Sequence, residues 1–477
     1  MTPTRFFLVR HALVEPSARA VLYGSMDVRL CDLALQEEAA SYRWLAARLP
    51  QPARWFVSNL SRTRATAAAV FAAGYPEAEL EAEADFAEQH LGDWQGIPHE
   101  ALPALLTRPA HPFWPHAGEE HPPGGESFRE VQARVAAVLE RLATLLEGQD
   151  IVIVAHGGSI RAALAHAMRT ARCDIVHAHW CYEFGAAALD SGSPCLITCH
   201  DSPNEVYHYM RWTKAYPFWW FRCLLGRRVL RRAIHISAVS PYVEKNICTI
   251  VKTRPLLHVI PNGVGKDLFR MGKARLEQGE PMGALTFGCV LEGFSKIKNA
   301  TTALQAFTNF RKKHPEARLR MFGGDYEPGG KAEQWARAHH CAAGVSFEGH
   351  VPQERLHPLL HASVHILLHP SRTESHPLAV IEAQALAIPV IGGDRSGGVP
   401  YTLDNGRAGF LADIRSAEAL SQVMQKAASN TDLRNSLAHR AWEFAQNNFE
   451  EDKMVESYLD FYRTILAEQN GGIGLAS

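Results

Sequence analysis

The sequence predicts an α/β protein built on parallel sheets. Three observations lead there. Short apolar runs alternate with helical patterns along the whole chain. Polar and charged motifs follow directly on several of those runs. No repeat occurs at a solenoid period. The predicted strands, in order, are Arg5–Val9, Arg54–Ser58, Ile151–Ala155, Asp174–Ala178, Cys195–Cys199, His235–Val239 and His258–Ile260. Leu285–Val290, Arg318–Phe322, Val345–Glu348, His365–His369 and Pro389–Gly392 follow. Each is short, rich in β-branched or aromatic residues, and bounded by turn residues.

The 477 residues suggest two to four domains. A net charge of −1 gives no reason to expect a nucleic-acid partner. Nine scattered cysteines without a C-x-x-C pair fit a reduced, cytoplasmic compartment and no zinc spacing. The opening MTPTRFFLVRHA runs into a strand and does not resemble a signal peptide.

Composition divides the chain near residue 170. Residues 1–170 contain no lysine, 15 arginines and 20 acidic residues, a net charge of −5. The remainder holds 34 basic and 30 acidic residues, for +4. Such a shift suggests two segments of different origin.

In the first segment three strand ends deliver Arg10-His11, Ser58-Asn59-Leu60-Ser61-Arg62 and His156-Gly157-Gly158. The carboxyl edge of a parallel sheet is where such sites form. A neutral imidazole can attack phosphorus, and arginines hold phosphate oxygens through paired N–H donors. Glu88 is the candidate acid for a leaving oxygen. These motifs resemble the histidine phosphatase (phosphoglycerate mutase-like) superfamily. The resemblance implies a three-layer fold, His11 as the phosphorylated nucleophile, Arg10 and Arg62 in the phosphate pocket, Glu88 as the acid and His156 as the second histidine. Ala12 stands where the superfamily has glycine, and the resemblance stops near Met168, short of a further strand and helix.

In the second segment Glu374 and Glu382 form an E-x7-E pair that begins in a turn and ends in a helix. Two carboxylates there can accept hydrogen bonds from sugar and ribose hydroxyls, and a helix N-terminus favours a diphosphate. The run from His369 to Ile391, with Gly397–Pro400 and Asn405–Leu411, resembles GT-B glycosyltransferases of family four. Ile260–Val264 resembles that family's interdomain crossing, and Ala238–Ser240 the last strand of its first domain.

The resemblance implies Rossmann-like domains and a nucleotide-sugar donor, transferred with retention and with no metal or other cofactor. It implies that Glu374 contacts the sugar, that Glu382 holds the ribose and that Lys298 neutralises the diphosphate. His179 would stand beside the sugar, with His177 and His200 as lesser candidates. Ser375 and His376 occupy the loop that meets the donor. The family's arginine is missing at Cys289, where Lys296 is a substitute, and Pro377 has no N–H to offer.

The expected domains are 1–170, histidine phosphatase-like; 171–260, a partial acceptor-side domain lacking its first strands; and 261–477, the donor domain with C-terminal helices. With no linker between Met168 and Cys173, the last phosphatase-like helix is expected to serve both halves. The aromatic and basic run Tyr216–Arg222, with Arg227, Arg228, Arg231 and Arg232, reads as an amphipathic helix. Peripheral contact at the inner face of an anionic membrane, beside a lipid-linked acceptor, is the alternative. The functional expectation is a retaining hexosyltransferase acting on a saccharide or lipid-linked acceptor. The alternatives are a phosphomonoesterase working through phospho-His11 and an inactive fusion that only binds donor nucleotide.

Overall fold

The computed structural model describes residues 3–108, 116–170, 173–211, 216–252 and 255–472. They form two compact units, Met1–Arg172 and Cys173–Ser477.

The first unit has four parallel strands, β1 (Arg5–Arg10), β2 (Arg54–Val57), β3 (Leu80–Ala82) and β4 (Asp150–Ala155), in the order β1-β4-β2-β3. β4 is fully apolar beyond Asp150 and buried on both faces, as a central parallel strand must be. The helix Ser61–Ala72 packs with the β1 side of one core, around Trp55, Val70 and Val152. The helix Phe128–Leu145 covers the other face with Val131, Val135 and Val138. A capping box starts that helix: Ser127 Oγ accepts from the Glu130 N–H, and Glu130 accepts from the Ser127 N–H. The helix Gly157–Thr170 follows β4 and belongs to this unit.

The second unit has two lobes. The first holds β5 (Val176–His179), β6 (Cys195–Cys199), β7 (His235–Ala238) and β8 (Leu256–Val259), parallel and in chain order. The second holds β9 (Thr286–Val290), β10 (Arg318–Phe322), β11 (Val345–Gly349), β12 (Ile366–His369), β13 (Val390–Gly393) and β14 (Phe410–Ala412). Their order is β11-β10-β9-β12-β13-β14, again all parallel. The order reverses between β9 and β12, the place where a crevice opens at the carboxyl ends of such a sheet. The long helix Glu451–Gly472 returns to the first lobe, where Phe461 and Ile465 pack on Leu196 and Ile260.

Several expectations are corrected here. β7 is not the last strand of its lobe, because β8 lies beyond it. β8 begins at Leu256 rather than His258. β3 and β14 were not foreseen; each is three residues long and sits at a sheet edge, too short for an alternation to register. The run Tyr216–Arg232 is one helix. Arg222 is buried against Glu183 and lies 3.8 Å from the Tyr182 ring centre, while Arg227 donates to Asn204 and Arg232 pairs with Asp190. Residues 171–172 at the seam and the side chains of Tyr216–Phe218 lie outside the described residues. Among the described residues no helix is long and apolar enough to cross a membrane.

Candidate active sites

In the first unit His11, Arg62 and His156 converge at the carboxyl ends of β1 and β4. The His11 and His156 rings stand 5.0 Å apart, centre to centre. The His11 Nδ1 lies 2.7 Å from the Ala12 carbonyl, which can only accept. The proton therefore sits on Nδ1 and the lone pair on Nε2. Burial, with the Arg62 and Arg10 charges, lowers the His11 pKa to about 4, so the lone pair is free at neutral pH. Arg62 Nε donates to His156 Nδ1 at 3.2 Å, which leaves the His156 proton on Nε2, 2.8 Å from Ser58 Oγ. Burial first, then Arg62, lowers the His156 pKa to about 2.

Arg62 is fully buried, and its terminal nitrogens donate to the Met26 and Gly24 carbonyls at 2.6 and 2.9 Å. Glu88 accepts from the Gly158 N–H at 3.1 Å. A Cβ on Gly157 would stand 3.8 Å from the Arg10 guanidinium, so Arg10 lies over the start of the same helix. All five expected residues thus surround β1 and β4. Ser58 and Arg161 were not anticipated. Ser58 fixes the His156 ring, and Arg161 lines a cavity of about 150 Å³ with Glu88, Tyr23 and Trp94. Ala12 is accommodated, and its N–H donates to Thr66 Oγ1 at 2.9 Å.

In the second unit two cavities share Lys298 and Glu374. The first, about 290 Å³, is lined by Glu382, Glu292, His350, His369 and Pro377 besides the shared pair. The second, about 310 Å³, is lined by Asp201, Glu205, Tyr209, Trp219 and Ser375 besides the pair. Lys298 Nζ is 2.8 Å from Glu374 Oε1. Burial pushes the Glu374 carboxyl upward, but the nearby His369 and Lys298 outweigh it and hold the pKa below the usual carboxylate range. His369 Nε2 is 3.6 Å from Glu374, beyond hydrogen-bond reach, so Lys298 is the direct partner. Both nitrogens of the buried His369 ring lack a hydrogen-bond partner among the described residues. Glu382 sits one turn into the helix Leu378–Ala385, where His357 Nε2 lies 3.5 Å away and Gln353 donates at 3.4 Å.

Five expected residues take other places. Lys296 is exposed and lines neither cavity. His376 also lines neither. Its ring is buried against Phe449 and Tyr401, and its Nδ1 accepts the Asn262 N–H at 3.1 Å, so it pins the crossing between the lobes. His179 is exposed, stacked between His177 and His200, and its Nδ1 is 2.8 Å from His200 Nε2. Ser375 faces the second cavity, and its carbonyl accepts from Ser240 Oγ at 2.6 Å. Cys289, expected to alter the donor pocket, points into the core beneath β9, and burial raises its thiol far above the usual range.

Comparisons with known proteins fit this division. The histidine phosphatase superfamily (branch 1) matches residues 6–182. The glucosyl-3-phosphoglycerate phosphatase of Mycolicibacterium vanbaalenii is 33% identical over 35% of this chain and 74% of its own. The chain belongs to the histidine phosphatase superfamily. It also carries glycosyltransferase domains: glycosyltransferase family 4 matches residues 154–268, and glycosyl transferases group 1 matches 278–444.

The GDP-mannose-dependent α-(1-6)-phosphatidylinositol monomannoside mannosyltransferase of Mycobacterium tuberculosis is 27% identical over 53% of this chain and 68% of its own. Sucrose-phosphate synthase of Thermosynechococcus elongatus shares the fold, with a TM-score of 0.54 at 16% identity over 97% of this chain and all of that one. The phosphatase match runs past Met168 through β5. The two family models therefore overlap from the last two residues of β4 through the helix Gly157–Thr170 and β5.

Proposed function

We propose that the second unit transfers a hexose from a nucleotide-sugar donor to a hydroxyl acceptor, with retention of configuration. The observation that carries this is the Lys298–Glu374 pair set between two cavities. The first cavity takes the donor: Glu382 accepts ribose hydroxyls, Glu374 accepts sugar hydroxyls, and Lys298 moves onto the diphosphate as charge builds on the leaving oxygen. His369, with its ring nitrogens unpartnered, supplies a further polar contact there. The second cavity takes the acceptor. Trp220, Phe221 and Leu224, exposed on one helix with Arg228 and Arg231, suit peripheral contact with an anionic membrane where the acceptor is lipid-linked.

The test is a thermal-shift panel of UDP, GDP and their hexose conjugates on the full chain, followed by NMR of any product anomer. Stabilisation by one nucleotide class and an axial product from an axial donor are expected. No stabilisation by any nucleotide sinks the reading.

The geometry around His11 supports a second activity, phosphomonoester hydrolysis. His11 Nε2 attacks phosphorus, the P–O bond breaks as Glu88 in its acid form protonates the leaving alcohol, and water then cleaves the N–P bond. An aryl phosphate assay with His11→Ala as control tests it.

A further inference from the structure

The second cavity contains a pair of carboxylates that neither the motifs nor the proposed reaction uses. Asp201 follows β6, and Glu205 lies in the first turn of the helix Pro203–Met210. Asp201 Oδ1 accepts from the Tyr182 hydroxyl at 2.7 Å. Glu205 Oε1 accepts from the Tyr242 hydroxyl at 2.8 Å and from the Thr373 hydroxyl. Glu205 Oε2 is buried and has no hydrogen-bond partner among the described residues. Leaving a buried carboxylate oxygen without a donor is costly, and a ligand hydroxyl would satisfy it.

The charge balance of the lining restricts which ligand fits. Among the described residues Lys298 is the one lysine or arginine in that lining, and Glu374 already pairs with it. The Arg222 charge acts on Asp201 from beside the Tyr182 ring but does not line the cavity, so the lining itself meets a phosphate with the carboxyl groups of Asp201 and Glu205 and a cation that is already paired. The Trp219 and Tyr209 side chains add apolar surface of the kind on which the C–H face of a sugar ring rests. The volume of about 310 Å³ is at the small end of ligand pockets.

We propose that Asp201 and Glu205 make this cavity the site of an uncharged polyhydroxylated ring, a sugar or cyclitol, and exclude the phosphorylated form of the same ring. Glu205 Oε2 accepts one ring hydroxyl and Asp201 Oδ2 another, which holds the ring against Glu374 and the transferred sugar. These are specificity and positioning residues. The inference rests on the acceptor side of the proposed reaction.

Saturation-transfer NMR on the full chain with UDP or GDP bound tests it. The probes are methyl α-glucopyranoside, methyl α-mannopyranoside and myo-inositol, each beside a phosphate ester of the same ring. At least one neutral ring is expected to bind, about tenfold or more tighter than its phosphate. Asp201→Asn and Glu205→Gln are each expected to weaken that binding about 10- to 100-fold, the range for hydrogen bonds to charged groups. The stabilisation by nucleotide should stay unchanged in both variants. Failure of every neutral ring, equal binding of a phosphate, or neutral-ring binding unaffected by both variants overturns the inference. Loss of nucleotide stabilisation in the unmodified chain sinks the transferase reading instead.

Discussion

Lys298 Nζ lies 2.8 Å from Glu374 Oε1, at the wall between two cavities. The carboxylate holds the cation in place. In the proposed donor complex the ammonium must exchange one anionic partner for another. Lys298→Met is expected to weaken nucleoside diphosphate binding about 10- to 100-fold and to destabilise the second unit by about 1–3 kcal/mol, because Glu374 stays buried without its cation. Titration calorimetry with UDP and GDP checks the first, and urea unfolding the second. Lys298→Arg should restore most of the stability.

His11 is poised by its tautomer, so removing the nucleophile and disturbing the tautomer should differ. His11→Ala is expected to abolish aryl phosphate hydrolysis without loss of fold. Arg62→Lys cannot reproduce the Gly24, Met26 and His156 contacts together, since they use three nitrogens of one planar fork. It should lower kcat/KM about 100-fold and cost about 1–3 kcal/mol, as the carbonyls lose their donors. Steady-state kinetics and thermal melts read both.

Gly158 is tied to Glu88 by space as well as by a hydrogen bond. A Cβ there would overlap Glu88 Oε1. Gly158→Ala is expected to displace the carboxylate and lower hydrolysis of an alkyl phosphate, whose leaving group needs a proton. An activated nitrophenyl ester, which leaves unprotonated, should suffer less. Equal losses on both esters would mean that Glu88 is not the acid.

The first unit should lose stability in acid. The pKa values of His11 and His156 fall to about 4 and about 2 in the fold, from 6.5. The unfolded chain therefore takes up protons first. Stability is full above pH 6.5 and falls as the pH drops below it, by up to about 1.4 kcal/mol per pH unit for each histidine. The contribution of His11 levels off below about pH 4. Hydrogen exchange of the Ile151–Val154 amides between pH 6.5 and 4.5 measures this locally. A protection free energy independent of pH there would contradict the buried neutral histidines.

Much of this was legible in the sequence, and the failures have physical causes. Glu374 and Glu382 share a cavity because the E-x7-E spacing spans a turn and a helix start, which local geometry fixes, and Lys298 joins them through a contact 76 residues away in sequence. His376 sits between those two glutamates in sequence yet turns away, since Phe449 and Asn262, brought in from distant parts of the chain, compete for its ring. Cys289 was misplaced because alternation in a strand buried on both faces carries no signal of direction. His369 was inside the recognised run, but nothing local marks a histidine as unpartnered. Asp201 and Glu205 gave no signal because their role depends on Thr373, Tyr242 and Tyr182 meeting them in space.

The return of the last helix orders the events of synthesis. His177 contacts the Tyr462 hydroxyl at 2.6 Å, and His235 contacts Glu468 at 2.9 Å, links that span 285 and 233 residues. Leu196 in β6 is covered by Phe461 and Ile465. The first unit has all its strands once residue 155 has left the ribosome. The lobe that follows must wait, with an apolar face uncovered, until about two hundred residues beyond β8 have been made. During that interval the nascent chain is most exposed to chaperones and to misassembly with its neighbours.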